Sequence, residues 1–98
     1  MYIQMVFVWN EDKNRINRRK HGISFEAAIR IFEDPYAVSY VDRVIDNEER
    51  WHTVGLAGGV ALVLVVHTIG ENDGEETFRI ISARKACLSE RSLYETSE

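Results

Sequence analysis

Arg79 and Arg84 bracket Ile80-Ile81-Ser82-Ala83, Lys85 follows at once, and residues 79–85 contain no acid. A guanidinium is a rigid fork of N–H donors that matches phosphate oxygens, so this segment suits stabilising the charge of a phosphoryl-transfer transition state. If residues 69–76 close a hairpin, His67 is brought near Phe78 or Arg79, which sets a proton carrier beside a phosphate clamp. Each residue also has a plainer reading. Arg79 can pair with Glu75 or Glu76, and His67 can be a histidine at the edge of the core. Arg50-Trp51 adds a cation beside an aromatic that can stack on a base, although Trp51 suits the core as well.

A second basic block holds Lys13, Arg15, Arg18, Arg19, Lys20 and His21. Lys13, Asn17 and Lys20 recur at i, i+4 and i+7, the spacing of one helix face, and such a face can follow a phosphate backbone. A solvated helix with acid–base pairs would account for the charge run as well. Between Asn10 and Lys20 the only apolar residue is Ile16, so core packing does not explain this helix and another use of its surface is expected. His21, at the end of the block, is a second candidate to carry a proton. Cys87 lacks a partner at metal-binding spacing and reads as a small buried hydrophobe. His21, His52 and His67 are too scattered for a metal motif, and no phosphate-binding glycine loop is present. No metal and no cofactor are expected.

The elements that must position these groups follow from pattern. Tyr2 to Val8 is rich in β-formers and stops at Asn10, a helix N-cap followed by Glu11 and Asp12. That helix should run to Lys20 and end at Gly22. Ser24 caps a second helix with Phe25, Ala28, Ile29 and Phe32 on one stripe, and Asp34-Pro35 ends it. A short strand over 36–41 and an acidic loop over 42–49 come next. Strands over 50–56 and 60–68 flank Ala57-Gly58-Gly59 as a hairpin, and a turn over 70–74 leads to a strand over 77–83. Val60 to Val66, apolar on both faces, should be the central strand. Leu88-Ser89 opens a last helix, with Leu88 placed to staple onto Leu93. The expected fold is α+β: a curved antiparallel sheet built from one strand and a four-strand meander, with two helices between them and one at the end.

Composition sets the outer limits. A chain of 98 residues, 45% hydrophobic and 29% charged, suits one domain spanning 1–98. No apolar run approaches the roughly 20 residues of a membrane helix, the N-terminus has no secretory pattern, and a lone cysteine fits the cytoplasm. Net charge is −4 and the pI is about 5.4, which by itself opposes a nucleic-acid partner. The charge is unevenly spread, however: residues 10–30 sum to +3 and residues 31–49 to −5. A positive face on an acidic protein is therefore allowed.

Phe7-Val8-Trp9-Asn10, followed by Lys13, Asn17 and Lys20-His21-Gly22-Ile23-Ser24-Phe25-Glu26-Ala27-Ala28, resembles the opening signature of the BrnT toxins. Asp34-Pro35, Glu49-Arg50-Trp51 with Val54-Gly55, Leu64-Val65-Val66-His67-Thr68 and Arg79-Ile80-Ile81-Ser82-Ala83-Arg84-Lys85-Ala86 follow in that family's order, so the resemblance spans residues 6 to 95. It implies a RelE-like ribonuclease fold and the toxin role of a type II toxin–antitoxin pair, cleaving RNA without metal and arresting translation. It further implies a co-encoded antitoxin of the BrnA type with a ribbon-helix-helix DNA-binding part, operator DNA bound only through the complex, and a homodimer or a heterotetramer with the antitoxin. In such chemistry Arg79 and Arg84 would stabilise charge and His67 or His21 would carry a proton. Lys20, Lys13, Asn17, Arg50, Trp51 and Lys85 would hold the RNA. The acidic pI, and the lack of a basic residue at Ile69-Gly70-Glu71 where relatives often carry arginine, keep another class open: a weak or inactive homologue that serves as an antitoxin-binding module.

Overall fold

A computed structural model describes residues 4–96. The first strand, β1, is Gln4–Val8; the expected residues Tyr2 and Ile3 lie outside the described part. Helix α1, Glu11–His21, starts where the Asn10 side chain accepts the Lys13 N–H at 3.0 Å and stops at left-handed Gly22, whose N–H reaches the Arg18 carbonyl. Ser24 caps α2, Phe25–Ala28, as the sequence suggests, yet the helix does not continue as one piece. It tightens into a 3-10 helix over Ile29–Glu33. The three-residue period then buries Phe25, Ala28 and Ile31, while Ile29 and Phe32 of the expected stripe are only half-buried.

Strand β2, Val38–Ile45, and strand β3, Glu48–Ala57, are both longer than the sequence suggests. The acidic stretch 42–49 is mostly strand rather than loop. The turn takes only Asp46-Asn47, both at positive φ, as a two-residue hairpin requires. Asp73-Gly74 does the same between β4, Ala61–Asn72, and β5, Glu75–Lys85. Strand order is β1-β5-β4-β3-β2, which puts β4 at the centre as its apolar run predicts. The meander β2 to β5 is antiparallel, whereas β1 pairs parallel to β5, so the sheet is mixed. After β1 the helices carry the chain to the far edge, where β2 enters, and the meander returns to β1.

Two cores form, one on each face. Phe25, Ala28 and Ile31 pack on Val63, Val65, Phe78, Ile80 and Ala83 on one side. Val54 and Leu64 meet Ala86 and Tyr94 on the other, under α3, Leu88–Thr96. Asp34 ties the layers together, accepting from the Leu56 N–H at 2.8 Å, the Tyr36 N–H at 3.0 Å and the Tyr94 hydroxyl at 2.7 Å. Burial alone would raise that carboxyl, but these bonds outweigh it and hold it below its usual value.

Three expectations need correction. Cys87 is exposed rather than buried, because it serves as the cap of α3: Glu90 reaches back to its N–H at 2.8 Å, and its carbonyl accepts the Arg91 N–H. Leu88 is 83% exposed and forms no staple with Leu93, itself exposed. Helix α1 docks through amides instead of apolar groups, leaving Ile16 59% exposed. Buried Asn17 donates to the Ala83 carbonyl at 2.8 Å and accepts the Ala83 N–H at 3.2 Å, so one amide closes the edge of β5 beyond the end of β1. Buried Asn14 accepts the Phe25 N–H at 2.8 Å and donates to Glu26.

Candidate active site

Alternation along the strands sorts the chemically capable residues by face. Residues opposite one another in a ladder share a face, so Arg79 opposite Thr68, Arg84 opposite Leu64 and His52 opposite Val66 all leave the sheet on the α3 side. Arg50, two residues before His52, joins them. Helix α3 packs over the Val54–Leu64 end of this face, next to Arg84. Arg50, His52 and Arg79 lie along the same strands away from that end.

Both arginines singled out from the sequence have carboxylate partners. Arg79 donates to Glu48 at 2.6 Å, across the central strand, and not to Glu75 or Glu76. Both sides of that bridge are exposed, so it contributes little to stability. Arg84 donates to Glu90 through two parallel bonds of 2.9 Å. Arg84 lowers the Glu90 carboxyl to about 2 against the effect of burial, and Glu90 in turn raises the guanidinium. This pair holds α3 on the sheet.

The remaining sequence candidates fall elsewhere. His67 is 0% exposed, with Phe32 and Phe78 rings 5.2 and 5.3 Å from its own. Its Nδ1 donates to the Thr68 carbonyl at 3.3 Å, its Nε2 accepts the Thr53 hydroxyl at 2.7 Å, and Ser39 extends the chain at 2.7 Å. Burial pushes the imidazole down to about 4. Here His67 is a neutral core group and does not reach Arg79. Trp51, opposite His67, is half-buried on that same inner face, and Lys85, opposite Val63, leaves from it at the end of β5. Asn17 is buried with its amide engaged by Ala83 and Ile23, so it does not share an open face with Lys13 and Lys20. Lys13, Lys20 and His21 are exposed on α1.

The sheet face also holds a cluster that spacing does not reveal. A cavity of about 230 Å³ is lined by Asp42, Arg43, Ile45, Arg50, His52 and Val66. The pairing of β2 with β3 slips between Val41 and Arg43, which takes Asp42 out of the ladder and lets its carboxylate face His52. Asp42 Oδ2 lies 3.6 Å from His52 Nε2 and accepts from Arg43 Nε at 2.6 Å. Its carboxyl is held low, chiefly by the Arg43 bond. The Tyr40 hydroxyl stands 3.2 Å from His52 Nδ1. Burial raises the Tyr40 phenol. Among the described residues the buried Nε of Arg50 has no hydrogen-bond partner, a donor left over on a side chain that lines the cavity. What hides this cluster in the sequence is the bulge, because Tyr40, Asp42 and His52 read there as strand, loop and strand.

Comparison with known proteins points one way. The model of the family described as "Ribonuclease toxin, BrnT, of type II toxin-antitoxin system" matches residues 9–90. Among solved structures, that of the Brucella abortus ribonuclease toxin BrnT is similar at 21% identity and a TM-score of 0.53, covering 86% of this chain and 97% of that one. At that identity the likeness speaks for the fold. No curated protein matches the sequence.

Proposed function

This chain belongs to the BrnT ribonuclease toxins of type II toxin–antitoxin systems, and from that premise we propose that it is a metal-independent endoribonuclease whose RNA lies across the sheet face bearing Arg50, Arg79 and Arg84. The observation that carries the reading is that Arg50, whose buried Nε has no partner among the described residues, lines the cavity on the same face as Arg79. Cleavage by the RNA's own 2′-hydroxyl needs no external nucleophile; it needs charge stabilisation on the non-bridging oxygens and proton transfer at the two ester oxygens. Arg50 and Arg79 supply the first. Glu48 occupies Arg79 in the free protein and must yield to phosphate, an exchange of one anion for another at an exposed pair. Arg84, tied to Glu90, fixes the far end of the face. Lys13, Lys20 and His21 on α1 hold RNA that extends past the sheet, and His67, in the core, takes no part in the chemistry.

Membership implies an antitoxin partner. We place it over the arginine face as a ribbon-helix-helix protein that blocks RNA and brings operator DNA to the complex, which forms as a heterotetramer. Translation arrest by cleaved message, in the cytoplasm and by residues 1–98 acting as one domain, completes the reading. A second reading, an inactive module that only holds antitoxin, draws on the carboxylates already seated on Arg79 and Arg84. Purified protein incubated with single-stranded and ribosome-bound RNA, with and without excess chelator, separates the two. Products ending in 2′,3′-cyclic phosphate support the ribonuclease; intact RNA supports the module, and cleavage abolished by chelator refutes metal independence.

A further inference from the structure

We propose that His52 is the residue that protonates the leaving 5′-oxygen, acting from the cavity beside the β2 bulge, an assignment that rests on the ribonuclease reading above. Three features of the site converge on it. His52 follows Arg50 by two residues on one strand, so the imidazole stands about 7 Å along the face from the group proposed to seat the phosphate. Tyr40 and Asp42 then flank the ring from β2. As the imidazolium that an acid must be, the ring donates Nδ1–H to the phenol oxygen at 3.2 Å and has its other proton on Nε2, the nitrogen that faces Asp42 at 3.6 Å and the cavity. Asp42 faces that atom, and Arg43, bonded to the same carboxylate oxygen, holds Asp42 in its charged form. Finally, the His52 side chain is 17% exposed, open enough to meet a substrate and enclosed enough to be oriented, whereas His67 is sealed in the core.

The step balances as follows. The 2′-oxygen forms its bond to phosphorus and passes its proton to water; the bond from phosphorus to the 5′-oxygen breaks, and the electron pair left on that oxygen takes the proton from Nε2 of the His52 imidazolium, which becomes neutral imidazole. Arg50 and Arg79 bear the charge on the non-bridging oxygens, and the imidazole regains its proton from solvent beside Asp42. The products are a 2′,3′-cyclic phosphate and a 5′-hydroxyl.

The test compares two leaving groups. Wild type, His52→Ala and His52→Gln are assayed on a short RNA and on the same RNA carrying a 5′-bridging sulfur at the linkage the wild type cuts, since a thiolate departs without a proton. Cleavage of the oxygen substrate should fall on the order of 10²–10⁴-fold in both variants. Cleavage of the sulfur substrate should fall by less than about 10-fold, because only the proton transfer is missing. Equal losses on both substrates, or undiminished cleavage of the oxygen substrate, would overturn the assignment while leaving the ribonuclease standing. A wild type inactive on both would sink the ribonuclease reading, and this one with it.

Discussion

Replacing His67 by glutamine should remove a specific part of the protein's acid sensitivity. At pH 7 the imidazole is neutral in the folded chain and mostly neutral in the unfolded one, with an ordinary value of 6.5 unfolded and about 4 folded. As pH falls below 6.5 the unfolded chain gains a proton that the folded chain refuses, so stability declines until the folded value is reached and then levels. The gap, at about 1.4 kcal/mol per pH unit, comes to about 3 kcal/mol, and full burial of the ring leaves little solvent screening to reduce it. Urea unfolding of wild type and His67→Gln at about pH 7 and about pH 4.5 isolates this contribution, because Asp34 and Glu90 titrate alike in both proteins and cancel. Wild type should lose about 2–3 kcal/mol more than the variant across that interval. Parallel loss in both would mean that the folded protein protonates His67 readily, which contradicts its place in the core.

Asn17→Ala strips both amide bonds from Ala83 and should destabilise the fold by about 1–3 kcal/mol, with amide exchange at Ala83 rising first as the reporter. Glu90→Gln should cost a similar amount, about 1–3 kcal/mol, and flatten the stability that wild type loses as pH falls from 4.5 toward 2, read by unfolding at acid pH. Arg79→Ala should reduce RNA cleavage on the order of 10²–10³-fold with an unchanged melting temperature, since its bridge to Glu48 is exposed. Gly55→Ala would set a methyl 3.1 Å from Ile31 Cβ and 3.2 Å from the Ile31 carbonyl, so a drop of about 1–3 kcal/mol is expected in thermal or urea unfolding.

Much of the frame is legible in the sequence because its signals are local. Asn10, Gly22 and Ser24 mark helix ends through their own side chains or backbone freedom, and Val60 to Val66 announces a strand covered on both faces. What eludes sequence reading depends on distant partners. Asn17 reads as a polar face residue until Ala83 is beside it, and Glu48 is a loop acid until a two-residue turn at Asp46-Asn47 brings it to Arg79. Asp46-Asn47 lacks the glycine that flags such turns, so the long β2–β3 hairpin passes for a loop. Of the candidate site, Arg79 and Arg84 stand five residues apart, a spacing that regular alternation would divide between the two faces; they share one face because the β4–β5 pairing slips between Val66 and His67. The bulge at Asp42 breaks that alternation, and His52 with its neighbours is hidden for that reason.

The location of the RNA is tested most directly by titrating isotope-labelled protein with an uncleavable 2′-O-methyl RNA and mapping the shifted resonances. The account expects the largest shifts at the Arg50 and Arg79 side chains and at Thr68 between them, with smaller ones at Lys13 and Lys20. Shifts confined to α1, with the Arg50 and Arg79 resonances unmoved at saturation, would contradict it.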